Sequence, residues 1–66
     1  MIFEMIKKMK DEISCELSFI LDEYKRNGRS ETYYTGYNRV IGMIKMLSIV
    51  TGKEYYFDEK GLHERE

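Results

Sequence analysis

The sequence predicts a mainly α-helical protein, in which two antiparallel helices form a hairpin followed by a short C-terminal β-hairpin or an extended tail. Three observations lead to this fold class: two long stretches with an apolar period near 3.6, a residue pair ending in glycine after each, and an aromatic, strand-like segment behind them. A chain of 66 residues has room for one domain, 1–66. We divide it into helix 2–27, helix 31–51 and an aromatic hairpin or tail, 53–66.

The first helix follows from apolar residues that keep helical spacing from Ile2 to Tyr24. The pair Asn27-Gly28 ends it, because glycine adopts the left-handed conformation of a C-cap without steric cost. Phe19 lies on roughly the opposite side from the main apolar stripe, one turn from Cys15. It is therefore either an isolated exposed aromatic residue or part of a second contact surface.

The second helix begins after Ser30, which we predict to be its N-cap, and Thr51-Gly52 ends it. So few residues remain between the two helices that they must be antiparallel neighbours. We expect Gly36, on the apolar face, to let the first helix approach closely. Gly42 lies on the polar face, where glycine weakens a helix by about 1 kcal/mol relative to alanine.

The apolar face of the second helix is wider than one neighbouring helix covers. A chain of this size is marginally stable alone, and its single cysteine and single histidine supply neither an internal disulfide nor a four-ligand zinc site. We therefore expect a homodimer, in which two helical hairpins form a four-helix bundle. The predicted dimer interface consists of Tyr37, Val40, Met43, Ile44, Met46, Leu47 and Val50.

The segment after the second helix has the pattern of a β-hairpin. Residues 54–58 are aromatic and strand-like, residues 58–61 have turn chemistry with glycine at the end, and residues 62–65 return as a second strand. An isolated two-stranded hairpin is marginal in water, so its apolar side chains must pack onto the helices or onto a partner. The alternative is an extended, partly frayed tail.

Aromatic residues gather at the start of the second helix and in this final segment. Tyrosine combines a large apolar ring with a hydrogen-bonding tip and is enriched in contact surfaces. One alternative is that the rings stack nucleic-acid bases beside basic residues. Another is that Tyr33 and Tyr37 belong to the core, with Tyr55 and Phe57 fastening the tail to it. The predicted partner-binding residues are Phe19, Tyr34, Tyr55, Tyr56 and Phe57.

The charge and the absence of catalytic patterns narrow the function. The net charge is −1, from 11 basic and 12 acidic residues, whereas phosphate-backbone and membrane-surface binders carry a cationic excess. There is no apolar run of about 20 residues and no signal-peptide pattern, so we expect a cytoplasmic protein without membrane contact. Cys15 and His63 lack a third catalytic member, and no phosphate loop or metal-ligand set occurs. We expect no enzymatic activity, no cofactor and no metal.

Two other functions remain open. The first is a dimeric nucleic-acid-binding regulator, in which dimerisation gathers basic residues on one side. The second is a structural subunit of a larger assembly. The basic residues that the nucleic-acid alternative requires are Lys7, Lys8, Lys10, Arg29 and Arg39.

Two resemblances bear on these hypotheses. The segment 52–61, with the sequence GKEYYFDEKG, is similar to one repeat of the choline- and glucan-binding cell-wall modules, which are aromatic β-hairpins, but it lacks their tryptophan and occurs once. In length, composition and layout the chain resembles small helical-hairpin proteins of phages and mobile elements of low-GC Gram-positive bacteria. That resemblance implies a regulator or inhibitor that binds a host protein in the bacterial cytoplasm, of the anti-CRISPR or another anti-defence kind.

Overall fold

The computed structural model describes residues 2–65 and contains α1 (Ile2–Asn27), α2 (Glu31–Thr51), β1 (Glu54–Asp58) and β2 (Gly61–Arg65). This confirms the predicted fold class and shows a β-hairpin where an extended tail was the alternative. Met1 and Glu66, the end residues of the predicted domain 1–66, lie outside the described residues. No described helix is long and apolar enough to span a bilayer.

Glycine ends both helices, as the sequence predicts. Gly28 and Gly52 have φ angles of 66° and 71°, in the left-handed region that other residues rarely adopt. The Gly28 N–H donates to the carbonyl oxygen of Tyr24 at 2.8 Å, which closes the last turn of α1. Ser30 is the N-cap of α2, since its Oγ accepts a hydrogen bond from the Tyr33 N–H at 3.1 Å. The short connection between these caps folds α2 back along α1.

Six buried apolar side chains form the core between the two helices. Gly36 is buried at the same interface, and a Cβ there would overlap Cγ2 of Ile20, so the helices approach closely only because this residue is glycine. The sequence-based dimer interface needs correction for three residues of α2, because α1 of the same chain already covers them; these are Val40, Ile44 and Leu47. The core consists of those three with Ile13, Leu17 and Ile20.

The β-hairpin covers one of the two grooves between the helices, since β1 contacts α2 and β2 contacts α1. The strands pair antiparallel with Phe57 opposite Leu62, and both side chains pack against the core. The Phe57 ring lies 5.5 Å from the ring of Tyr37 in α2, centroid to centroid. At the turn, the Lys60 N–H donates to Asp58 Oδ1 at 2.8 Å, and Gly61 has a φ of 121°. The second groove between the helices remains open.

Candidate functional site

The open groove between the helices is the first candidate surface, and we call it the methionine groove. Three adjoining cavities of about 360, 410 and 100 Å³ follow it, because neighbouring cavities share Arg39 or Met43 in their walls. Methionine side chains are flexible and polarizable, which suits an adaptable contact surface. The residues that line the groove include Lys8, Met9, Asp11, Glu12, Cys15, Glu16 and Phe19 of α1 and Gly36, Arg39, Met43 and Met46 of α2.

The apolar part of the groove is exposed and continues to the end where α1 begins and α2 ends. Met46 is 54% exposed, and Phe19, at the opposite end of the groove, is 51% exposed. Met5 lies one turn before Met9 on the same face of α1, and Val50 lies one turn after Met46 on α2. Met5 is exposed and extends the apolar surface of α1 beyond the cavities, whereas Val50 lines a separate cavity beside Tyr55 of the β-hairpin.

The methionine groove agrees with the predicted dimer interface only in part. Met43 and Met46 line it, whereas Val50 lines a separate cavity at the end of α2, together with Tyr55 of the β-hairpin. Tyr37 belongs to the opposite edge of α2, where the β-hairpin covers it, so its assignment to the interface is corrected. The prediction missed the contribution of α1, although the helical spacing of Met5 and Met9 was visible in the sequence.

Charged residues of both signs border the groove. Arg39 of α2 forms an ion pair with Glu16 of α1, which bridges the two helices. Glu12 lies one turn away from Glu16 and lines the same cavity as Arg39. Within residues 2–65, Glu12 takes part in no ion pair. The Arg39 guanidinium has further N–H donors that are free to bind another carboxylate.

The second candidate surface is a tyrosine-lined cleft beside the helix connection, which we call the tyrosine cleft. It encloses about 270 Å³ between Arg29, Tyr33, Tyr34 and Tyr37. The Tyr33 ring contacts three other rings, with centroids 5.3 Å from Tyr24, 5.5 Å from Tyr34 and 5.9 Å from Tyr37. Tyr24 and Tyr34 are exposed, whereas Tyr33 and Tyr37 pack against the core. The cleft therefore has a fixed aromatic base and a solvent-exposed rim.

Arg29 supplies the positive charge of the tyrosine cleft. Tyr34, and to a smaller extent Tyr24, raise the pKa of Arg29 above its ordinary value, because their hydroxyl groups lie near the guanidinium. Like every arginine side chain, that of Arg29 is cationic at physiological pH. Among the residues that the structure describes, no carboxylate forms an ion pair with Arg29. A cation in this situation suits a carboxylate or another anionic group from outside.

A hydrogen-bond network next to Arg29 holds the helix connection in place. Glu23 Oε2 accepts hydrogen bonds from Ser30 Oγ at 2.7 Å and from Asn27 Nδ2 at 3.0 Å. These two hydrogen bonds, that from Ser30 first, lower the pKa of the Glu23 carboxyl below its ordinary value. Because Ser30 also caps α2, the network ties the last turn of α1 to the first turn of α2 and fixes the backbone on which Arg29 stands.

The outer face of the β-hairpin carries a third group of side chains. The Tyr56 ring lies between His63, 5.2 Å away centroid to centroid, and the Arg65 guanidinium, 5.0 Å from the ring centroid. His63 Nε2 and Asp58 Oδ1 are 2.8 Å apart. The hydrogen bond with His63, followed by that from the Lys60 N–H, lowers the pKa of Asp58. Tyr56 is exposed but already packed by its cross-strand neighbours.

The predicted partner-binding residues thus divide between surface and interior. Phe19, Tyr34 and Tyr56 are exposed, on three different surfaces. Tyr55 and Phe57 face the helices and pack against the core, so their assignment as partner contacts is corrected in favour of the alternative that they fasten the hairpin. The prediction missed Tyr24 and named Arg29 only for the nucleic-acid alternative, because the proximity of both residues to Tyr34 arises only when the connection folds.

The structure also shows where the residues of the enzyme, nucleic-acid and metal-site hypotheses lie. Cys15 lies in the methionine groove and His63 on the outer face of the hairpin, so they do not form a pair. The basic residues of the nucleic-acid alternative are spread: Lys8 and Arg39 line the groove, whereas the Lys10 ammonium lies 5.4 Å from the Tyr55 ring centroid. Residues 2–65 contain no group of three or more His, Cys, Asp or Glu side chains placed to hold a metal ion.

Comparison with known proteins adds no relative: no protein-family model, no curated protein and no solved structure matches this chain.

Proposed function

We propose that this protein is a non-enzymatic protein-binding module that recognises an acidic segment of its partner in the tyrosine cleft. The observation that carries the proposal is a cationic Arg29 without an ion pair among the described residues, set in a cleft of tyrosine rings. A partner carboxylate binds the guanidinium, and apolar parts of the same segment pack on the exposed rings.

The residue types of the cleft support this proposal. Tyrosine and arginine are enriched among the few interface residues that carry most of the binding energy. Tyr33 and Tyr37 are already ordered by the core and by Phe57, so their rings lose little conformational freedom on binding. Tyr34 is 47% exposed and retains a large apolar area that a partner buries.

We further propose what kind of protein the partner is. The resemblance in length, composition and layout to small phage and mobile-element proteins suggests a phage- or prophage-encoded regulator or inhibitor whose target is a protein of the bacterial host. On that proposal the protein acts in the host cytoplasm by occupying a surface of the target. An acidic surface segment is the target feature that the tyrosine cleft selects.

Selection from a random peptide library displayed on phage tests the proposal and does not require an identified partner. We expect selected peptides to share an aspartate or glutamate next to apolar residues. Their affinity for the Tyr34→Ala and Arg29→Gln variants should fall at least about 30-fold, the loss expected of an interface hot spot. Phe19→Ala is the matched control, because Phe19 is exposed to a similar extent, 51%, and lies in the methionine groove.

Two results would contradict the proposal. One is a selection that enriches no common acidic sequence. The other is a set of peptides whose affinity is unchanged by Tyr34→Ala and Arg29→Gln but reduced by Phe19→Ala, which would move the binding site to the methionine groove.

A further inference from the structure

We propose that the methionine groove binds a second copy of this chain, so that two helical hairpins form a four-helix bundle around a two-fold axis parallel to the helices. In this arrangement, α1 of each copy lies over α2 of the other. The proposal concerns a surface other than the tyrosine cleft and does not depend on the function proposed for that cleft. It follows from three features of the groove: the position of its apolar side chains, the position of its charges and its area.

The apolar side chains determine how the second copy is oriented along the helix axes. Gly36 packs against Ile20, and Met46 shares a cavity with Met9, so residues of the two helices whose numbers sum to about 56 lie level with each other. A two-fold axis parallel to the helices keeps each residue at its level. The methionine end of one copy therefore meets the methionine end of the other, and Met9 of one copy approaches Met46 of the second copy. Apolar surface is then paired with apolar surface.

The charges select the same axis. Arg39 lies level with Glu16, with which it forms an ion pair in its own chain. The parallel axis places Glu12 and Glu16 of the second copy above Arg39, whose remaining N–H donors are free. An axis across the helices would instead set α1 over α1, so that Glu12 and Glu16 would face the α1 of the second copy, where Lys8 is the basic residue of the groove, and not Arg39. The parallel axis is the one that brings Arg39 to the acidic side chains and the methionine end to the methionine end.

The area of the groove is sufficient when the whole face takes part. Each helix is about 10 Å wide and α2 has 21 residues, about 30 Å, so two adjacent helices present about 600 Å² before side-chain relief is added. A standard interface buries about 800 Å² per partner. An interface of standard size therefore needs the full length of both helices and the relief of their side chains, including the exposed Met5 at the end of the groove.

Light scattering over a wide concentration range, with circular dichroism on the same samples, tests the proposal. The chain mass is 8.0 kDa, and we expect a dimer of about 16 kDa. Met46→Lys should raise the dimer dissociation constant at least about 30-fold and leave the helical signal unchanged, because Met46 is already half exposed in the single chain. Tyr34→Lys, at a similarly exposed position on the other side of α2, should leave the dimer intact.

A charge-reversal pair tests the orientation. In the proposed homodimer, residue 12 of each copy faces residue 39 of the other. Glu12→Arg and Arg39→Glu each place like charges at these contacts, whereas a heterodimer formed in a mixture of the two variants has opposite charges at both contacts. We expect each variant alone to dissociate at least tenfold more readily than the wild type, and the mixture to form heterodimers, which native mass spectrometry resolves. A wild-type monomer at millimolar concentration would overturn the proposal. So would a dimer that Met46→Lys leaves intact, or variants whose mixture shows no preference for heterodimers.

Discussion

The two glycines within α2 provide a matched pair of substitutions that tests the packing of the helices. In Gly42→Ala the new Cβ points into open space, since no heavy atom lies within 4 Å of it. The variant therefore gains the helix propensity of alanine, about 1 kcal/mol. For a domain of this size that corresponds to a rise in Tm of about 4 to 8 °C.

Gly36→Ala gains the same propensity but places its Cβ inside the van der Waals radius of Ile20 Cγ2. Ile20 is fully buried and β-branched, so its χ1 has no free alternative and the helices must move apart. Such overpacking costs about 1 to 3 kcal/mol. We expect Gly36→Ala to be less stable than Gly42→Ala by this amount.

Urea denaturation followed by circular dichroism, at one fixed protein concentration, measures both free energies of unfolding. The Ile20→Leu background supplies a control, because leucine lacks the Cγ2 methyl while keeping the volume. There, Gly36→Ala should recover most of the lost stability. Equal stability of Gly36→Ala and Gly42→Ala, within about 0.5 kcal/mol, would show that the helices do not pack at Gly36.

Further predictions concern the caps and the two carboxyl groups with shifted pKa. Ser30→Ala should lower stability by about 1 kcal/mol, measured by urea denaturation, because α2 loses its N-cap. Folding lowers the pKa of Glu23, so its carboxylate stabilises the fold above the unfolded pKa, and this stabilisation is lost as pH falls through the folded pKa. Glu23→Gln should remove this part of the pH dependence of the free energy of unfolding. The pKa of Asp58 followed by carboxyl NMR should lie below its ordinary value and rise towards it in His63→Ala; an unchanged pKa would exclude the contact. Gly52→Ala should destabilise by about 1 kcal/mol, the opposite sign to Gly42→Ala, because its φ of 71° strains an alanine.

The helices and their ends are predictable from the sequence because their causes are local. The spacing of apolar residues sets the helix faces, Ser30 sets the start of α2, and Gly28 and Gly52 set the two ends. The β-hairpin is predictable for the same reason, since an aromatic strand and a turn ending in Gly61 are short-range signals.

The surfaces are less predictable, because they depend on which groove the hairpin covers. Tyr37 and Met46 lie at opposite edges of one apolar stripe of α2, and the spacing treats the two edges alike. Contacts between residues distant in sequence determine which edge the β-hairpin covers. Phe57 packs on Tyr37, and Tyr55 lies under Lys10. The prediction therefore assigned the whole stripe to a dimer interface, whereas the structure buries its centre, covers one edge and leaves the other exposed.

The central claim is that one fold presents two independent contact surfaces, the methionine groove for a second copy and the tyrosine cleft for a partner protein. A residue-resolved NMR dilution series tests it most directly, because a chain of 66 residues gives a spectrum in which each amide is followed separately. We predict that dilution from millimolar to micromolar concentration shifts the amides of Met9, Met43 and Met46 and leaves those of Arg29 and Tyr34 in place. Shifts centred on Arg29 and Tyr34 would contradict the proposal, and so would a spectrum that does not change on dilution while light scattering gives the monomer mass of 8.0 kDa.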